Sequence, residues 1–216
     1  MPGLQEQLQT LHRVGITVRP GVSVQDLLNY GEDVIYKKPY FGLLLAMGGT
    51  RDSWPYAPLS DTIWHFDWEA IENPGDYVRI ALRMRDLAGG SLPLEDVEDY
   101  VDIGSEEEDT AWLSFTLDGR AYHLDAEVKD DWADGKILEA LDRLLHERDP
   151  QKGFICLTWM SQTCLLGCAT APQLQALREA TELPFAWLTT EPIQKPASVQ
   201  ANYPRTCCCR PHSLSI

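Results

Sequence analysis

Apolar positions recur at helical spacing in some stretches of the chain and alternate in others. Leu4, Leu8, Leu11 and Val14 fall three or four apart, which predicts a short amphipathic helix over 4–14 that stops at Gly15. Ser23 then stands as an N-cap for VQDLLNYG, with Gly31 as the stop. The run YFGLLLAMGG fits a buried strand or a buried helix, because periodicity does not separate the two over so short a stretch. From Asp61 to Glu69 the pattern alternates. Ile63, His65, Asp67 and Glu69 share one face and Trp64, Phe66 and Trp68 the other, as in a half-buried strand with an aromatic inner side. After the turn signal Asn73-Pro74-Gly75, Asp76 caps a predicted helix to about Leu87, ended by Gly89-Gly90.

The segment SLPLEDVEDYVDIGSEEEDTA keeps Leu94, Val97 and Val101 at a weak helical period, so a short helix followed by a solvated loop is expected there. AWLSFTL and RAYHLDAEV flank Asp118-Gly119, the strongest hairpin signal in the chain. A helix through KILEALDRLLHE opens at Asp134 or Gly135, with Ile137, Leu138, Leu141, Leu144 and Leu145 on its apolar stripe. KGFICLTWM and CLLGCAT read as strands, APQLQALREAT as a helix with Pro172 in its first turn, and PFAWLT as a closing strand. The order points to an α+β class: one domain over 1–190, a mostly antiparallel sheet and helices packed on one side of it. Residues 191–216 carry prolines, small polar residues and three consecutive cysteines without an apolar period, and read as a flexible tail.

Charge changes this picture more than overall composition does. The 216 residues hold 18 Lys and Arg against 33 Asp and Glu, a net charge of -15. Three of those bases, Lys195, Arg205 and Arg210, follow Gln194 with no acid, so the chain before them carries 15 bases against 33 acids, a net of -18. Between Asp86 and Thr110 stand ten acids and no Lys or Arg: Asp86, Glu95, Asp96, Glu98, Asp99, Asp102, Glu106, Glu107, Glu108 and Asp109. Affinity for phosphate comes largely from Lys and Arg, so direct binding of nucleic acid is not expected. The acidity fits a basic partner, or solubility alone. The N-terminus lacks a basic region followed by an apolar run, and no apolar stretch approaches the 18 residues of a membrane span, so a cytoplasmic protein is expected. The body cysteines Cys156, Cys164 and Cys168 read as buried reduced thiols. Cys164 and Cys168 lack a second pair at zinc-like spacing, with only His212 near the tail's Cys207, Cys208 and Cys209.

Candidate chemistry is sparse. His65, Asp67 and Glu69 are ligand-capable side chains on one strand face, but alternate positions lie about 6–7 Å apart, too far for three to share one ion without partners from elsewhere. Asp125, Glu127 and Lys129, with Asp118 upstream, form the acid-x-Lys pattern of restriction-type nucleases. There carboxylates hold Mg²⁺ and the Lys stabilises charge at phosphate, yet this chain would repel that substrate. The three body cysteines with His123 or His146 lack a nucleophile-elbow setting, and neither Gly48-Gly49 nor Gly89-Gly90 belongs to a phosphate-binding motif. No cofactor or metal is called for.

Seven tryptophans are present. Trp112 and Trp187 lie in strand patterns that suggest core, while Tyr56, Tyr77 and Tyr100 sit close to acids. Aromatic rings beside carboxylates anchor protein interfaces against basic partners: the ring is desolvated and the charges steer the encounter. DTIWHFDWEAIENPGDYVRIALRMRDLAGGSLPLEDVEDYVD, AWLSFTLDGRAYHLDAEVKDDWAD and TAPQLQALREATELPFAWL, over roughly residues 54–188, resemble the small cytosolic immunity proteins that bacteria keep beside secreted toxins. More narrowly, they resemble those paired with type VI secretion nuclease effectors of the restriction-endonuclease-like toxin class. The resemblance implies an inhibitor with no chemistry of its own and a basic, nuclease-like toxin as partner. It carries over no catalytic residue. The partner-binding candidates are the segment Glu95, Asp96, Glu98, Asp99, Tyr100, Asp102, Glu106, Glu107, Glu108 and Asp109, with the His65, Asp67, Glu69 face beside it. The alternatives are a metal-assisted hydrolase built on His65 and Asp67, and a scaffold with an interaction surface.

Overall fold

The Asp118-Gly119 turn forms as its sequence predicts. Both residues take positive φ, +52° and +74°, and the strands on either side pair in register from Leu117↔Arg120 to Ala111↔Ala126. In the computed structural model this hairpin belongs to a chain described over residues 2–29, 31–52, 56–104, 110–159 and 162–189. The helices are α1 (Leu4–Arg13), α2 (Val24–Leu28), α3 (Glu32–Lys37), α4 (Phe41–Gly48), α5 (Asp76–Leu87), α6 (Gly135–Arg148) and α7 (Ala171–Thr181). The strands are β1 (Ile63–Asp67), β2 (Leu94–Asp102), β3 (Thr110–Leu117), β4 (Arg120–Ala126), β5 (Lys152–Trp159), β6 (Thr163–Thr170) and β7 (Ala186–Trp187). They form two sheets, β1-β6-β5-β7 and β2-β3-β4, with every pairing antiparallel. The class is α+β in a single-domain arrangement. The expected tail, 191–216, and Trp54 lie outside the described residues.

The larger sheet is buried on both sides, and alternation along its strands sorts side chains between two clusters. Ile63, Ile155, Leu157 and Leu165 face α1, α4 and α7 through Leu11, Leu43, Leu44, Met47, Leu174 and Leu177. Trp64, Phe66, Phe154, Cys156 and Leu166 face the other way. They share a cluster with Tyr77, Ile80 and Met84 of α5, Leu138 and Leu141 of α6, and the inward side chains Leu113, Phe115 and Leu117 of β3. Helices therefore cover both faces of the larger sheet, where one side was expected, because its central strands β5 and β6 are apolar at both parities. The aromatic row of β1 forms as predicted, with Trp64, Phe66 and Trp68 in successive ring contacts at 4.8 and 4.9 Å.

Two local expectations are corrected, and one open alternative is decided. The stretch 94–102 is a strand, because a β-bulge opposes Asp96 and Val97 to the single residue Phe115. Asp96 takes the left-handed conformation that such a bulge needs (φ +48°). The extra residue shifts the alternation by one, so Leu94, Val97 and Val101 all turn inward and their spacing imitates a helical period. The ambiguous run at 41–48 is a helix, and its Gly48 is required by contact: a Cβ there would meet the His65 backbone nitrogen at 2.4 Å. Cys164 and Cys168 are free thiols, whereas Cys156 is disulfide-bonded rather than reduced.

Candidate interaction surface

Inward side chains of β2-β3-β4 enter the core, and the opposite parity forms an outward face that no helix packs against among the described residues. Its centre is a cross-strand row. Tyr100 stands directly opposite Trp112, their rings stacked at 6.2 Å and 17°, and Trp112 meets the His123 ring at 5.1 Å. Tyr100 is 43% exposed and Trp112 is half-buried. Carboxylates surround the row. Tyr100 Oη donates to Asp102 Oδ2 at 3.4 Å, His123 Nε2 lies 3.3 Å from Asp125 Oδ1, and Glu95 and Glu98 continue the outward side of β2. The remaining outward residues are Thr110, Ser114, Thr116 and Ala121, so the face holds four carboxylates and neither Lys nor Arg.

The predicted partner-binding residues divide accordingly. Glu95, Glu98, Tyr100 and Asp102 share this face, and Asp96 is exposed at the bulge. Asp99 points the other way: its Oδ1 accepts from the backbone N–H of Gly75 at 2.7 Å and its Oδ2 from that of Val78 at 3.0 Å. Helix α5 begins at an N-cap glycine (Gly75, φ +102°) that has no side chain to satisfy its first N–H groups, and Asp99 supplies the acceptors from β2. Asp76, expected as the cap, is the first helical residue and reaches back to the N–H groups of Glu72 and Asn73, both at 2.9 Å. Glu106, Glu107, Glu108 and Asp109 lie outside the described residues. His65 and Asp67 belong to the edge of the larger sheet, on the parity facing away from the small one. Burial holds the His65 imidazole below its ordinary pKa against the opposing pull of Asp67. Glu69 lies past the strand end, its carboxylate bound by Gln162. The structure therefore does not join this trio to the β2 face.

Sequence reasoning missed Trp112, His123 and Asp125 as members of the surface. Their parity was legible, since Trp112 alternates with Ala111, Leu113 and Phe115, but the burial expected of a tryptophan masked it.

The other candidates do not converge on a reaction centre. Glu127 is held by Lys136 and Lys129, each at 3.0 Å, which draw its carboxyl below the usual range. Asp118 pairs with Arg148 at the far end of β4 from Asp125. Burial pushes the Cys164 and Cys168 thiols up to about 12, the opposite of activation. His146 contacts the Lys152 carbonyl at 3.4 Å. Among the described residues no three His, Cys, Asp or Glu side chains are grouped to hold a metal ion, and no helix is long and apolar enough to cross a membrane. No family model, curated protein or solved structure matches the chain. The outward face of β2-β3-β4 is thus described by its own geometry: a rigid aromatic row on paired strands, inside a field of one sign.

Proposed function

We propose that the chain is an inhibitor of the immunity type, a cytoplasmic protein with no chemistry of its own that binds a secreted, basic, nuclease-like toxin through the outward face of β2-β3-β4. The observation that carries this reading is the Tyr100-Trp112-His123 row set among four carboxylates, with neither Lys nor Arg on that face among the described residues. A toxin that cleaves nucleic acid presents Lys and Arg to its substrate. The acids steer that surface into contact, and the aromatic faces receive desolvated cations and apolar stems. Both halves of such an interface are supplied by paired strands, so little ordering entropy is lost on binding.

The test is whether an adjacent gene encodes a secreted effector and, with that effector's C-terminal domain, co-expression of the full chain followed by co-purification and titration calorimetry. A complex is expected. Trp112→Ala should weaken it by about 30-fold or more, as a central aromatic anchor does. Glu98→Lys with Asp102→Lys should slow association and flatten its dependence on salt. Absence of a complex overturns the inhibitor reading, and a complex unaffected by both variants overturns the assignment of the face.

A further inference from the structure

We infer that β4 is a self-pairing edge through which two copies of this chain join into one continuous six-stranded sheet. Leu117 and Arg120 flank a two-residue turn and so form a hydrogen-bonded pair. Alternation then leaves the N–H and C=O groups of Ala121, His123 and Asp125 pointing away from β3. Among the described residues no hydrogen bond engages those groups. The other three edges are defended. β2 carries the bulge and its row of acids, β1 is backed so closely by α4 that Gly48 has no room for a side chain, and β7 is two residues long. β4 has seven regular residues without a bulge, proline, glycine or lysine.

Charge and the layer beneath the strand select a second copy of the chain as the occupant. β4 carries one base, Arg120, and one acid, Asp125, and is therefore neutral in a chain of net charge -15. Antiparallel overlap centred on His123 sets Asp125 of one copy beside Ala121 of the other, and Arg120 beside Ala126, so no like charges oppose. Pairing through β2 would instead set acids against acids. On the inward side Tyr122 and Leu124 are only half-buried, while their β3 partners Phe115 and Leu113 are buried; the same overlap places Tyr122 of one copy against Leu124 of the other. This inference does not depend on the inhibitor reading, although the joined sheet would present two aromatic rows on one face.

Light scattering after size exclusion, and sedimentation equilibrium, are run on the full chain up to about 200 µM, because a short edge contact is concentration-dependent. The wild-type mass should rise from 24.4 kDa toward twice that value. Ala121→Glu, which faces Asp125 across the pairing, should stay at the monomer mass, while Ala121→Lys should keep the dimer. A wild-type monomer throughout, or an Ala121→Glu protein that dimerises as well as wild type, overturns the inference. If Ala121→Glu fails to fold by circular dichroism, amide exchange of the wild type decides: protection at His123 that rises with concentration supports β4 pairing, and exchange independent of concentration overturns it.

Discussion

Asp99→Ala separates the two roles an acid of β2 can have. Its carboxylate accepts the Gly75 and Val78 N–H groups at 2.7 and 3.0 Å, and α5 has no N-cap side chain of its own. Loss of an N-cap costs about 0.5–2 kcal/mol, and removing a negative charge from a helix N-terminus costs about 0.3–1 kcal/mol more. The site is partly open to solvent, so the sum for Asp99→Ala is about 1.5–2.5 kcal/mol. Asp99→Asn keeps one acceptor and should lose about 1 kcal/mol. Glu98→Ala, one residue away and outward-facing, should change stability by less than about 0.5 kcal/mol. Equilibrium urea unfolding reads all three as midpoint shifts at unchanged slope. An Asp99→Ala protein as stable as Glu98→Ala refutes the capping role, as does one that weakens the proposed complex as much as Trp112→Ala while stability is unaltered.

Two further substitutions probe the packing beneath the surface. Gly48→Ala forces a Cβ to within 2.4 Å of the His65 nitrogen and should cost about 1–3 kcal/mol as α4 and β1 are pushed apart; a melting temperature equal to wild type in calorimetry would refute the close approach. Asp142, buried on α6, accepts from the Phe154 N–H at 2.7 Å and from Thr189 Oγ1 at 2.6 Å, and burial outweighs these bonds to raise its pKa above the ordinary 3.8. The stability this group contributes is complete below 3.8 and is lost as pH rises through the raised value. The stability advantage of wild type over Asp142→Asn should therefore shrink as pH rises, and urea titrations showing a pH-independent difference would contradict this.

Local signals in the sequence account for most of the elements. The Asp118-Gly119 pair between two alternating runs made the β3–β4 hairpin legible, and helical spacing and cap signals made α1, α5, α6 and α7 legible. The bulge at Asp96 hid β2, since one inserted residue turns a period of two into the spacing of Leu94, Val97 and Val101. The division into two sheets was hidden for another reason: β1 pairs with β6, about a hundred residues later, and nothing local encodes that partner. The same long-range pairing carries His65 and Asp67 away from the acids of β2. The candidate surface was legible as acid and tyrosine. Its tryptophan and histidine became visible only when β3 and β4 were laid beside β2.

The acids of this chain are not interchangeable contributions to one net charge. Asp26, Asp99 and Asp134 accept from N–H groups at helix starts, Asp26 from that of the N-cap Ser23, and Asp76 from those of the turn before α5. Asp142 ties α6 to β5, and Asp61, Asp118 and Glu127 pair with bases. Glu95, Glu98, Asp102 and Asp125 make no ion pair with Lys or Arg among the described residues, and all four lie on the one sheet face that also displays an aromatic row. Charges placed for solubility alone are mixed in sign and dispersed. Four carboxylates without a Lys or Arg partner around stacked rings instead make the local potential more negative and attract cations to the rings. Under the proposed function, the part of the net charge of -15 that counts is the part standing without a Lys or Arg partner beside Trp112.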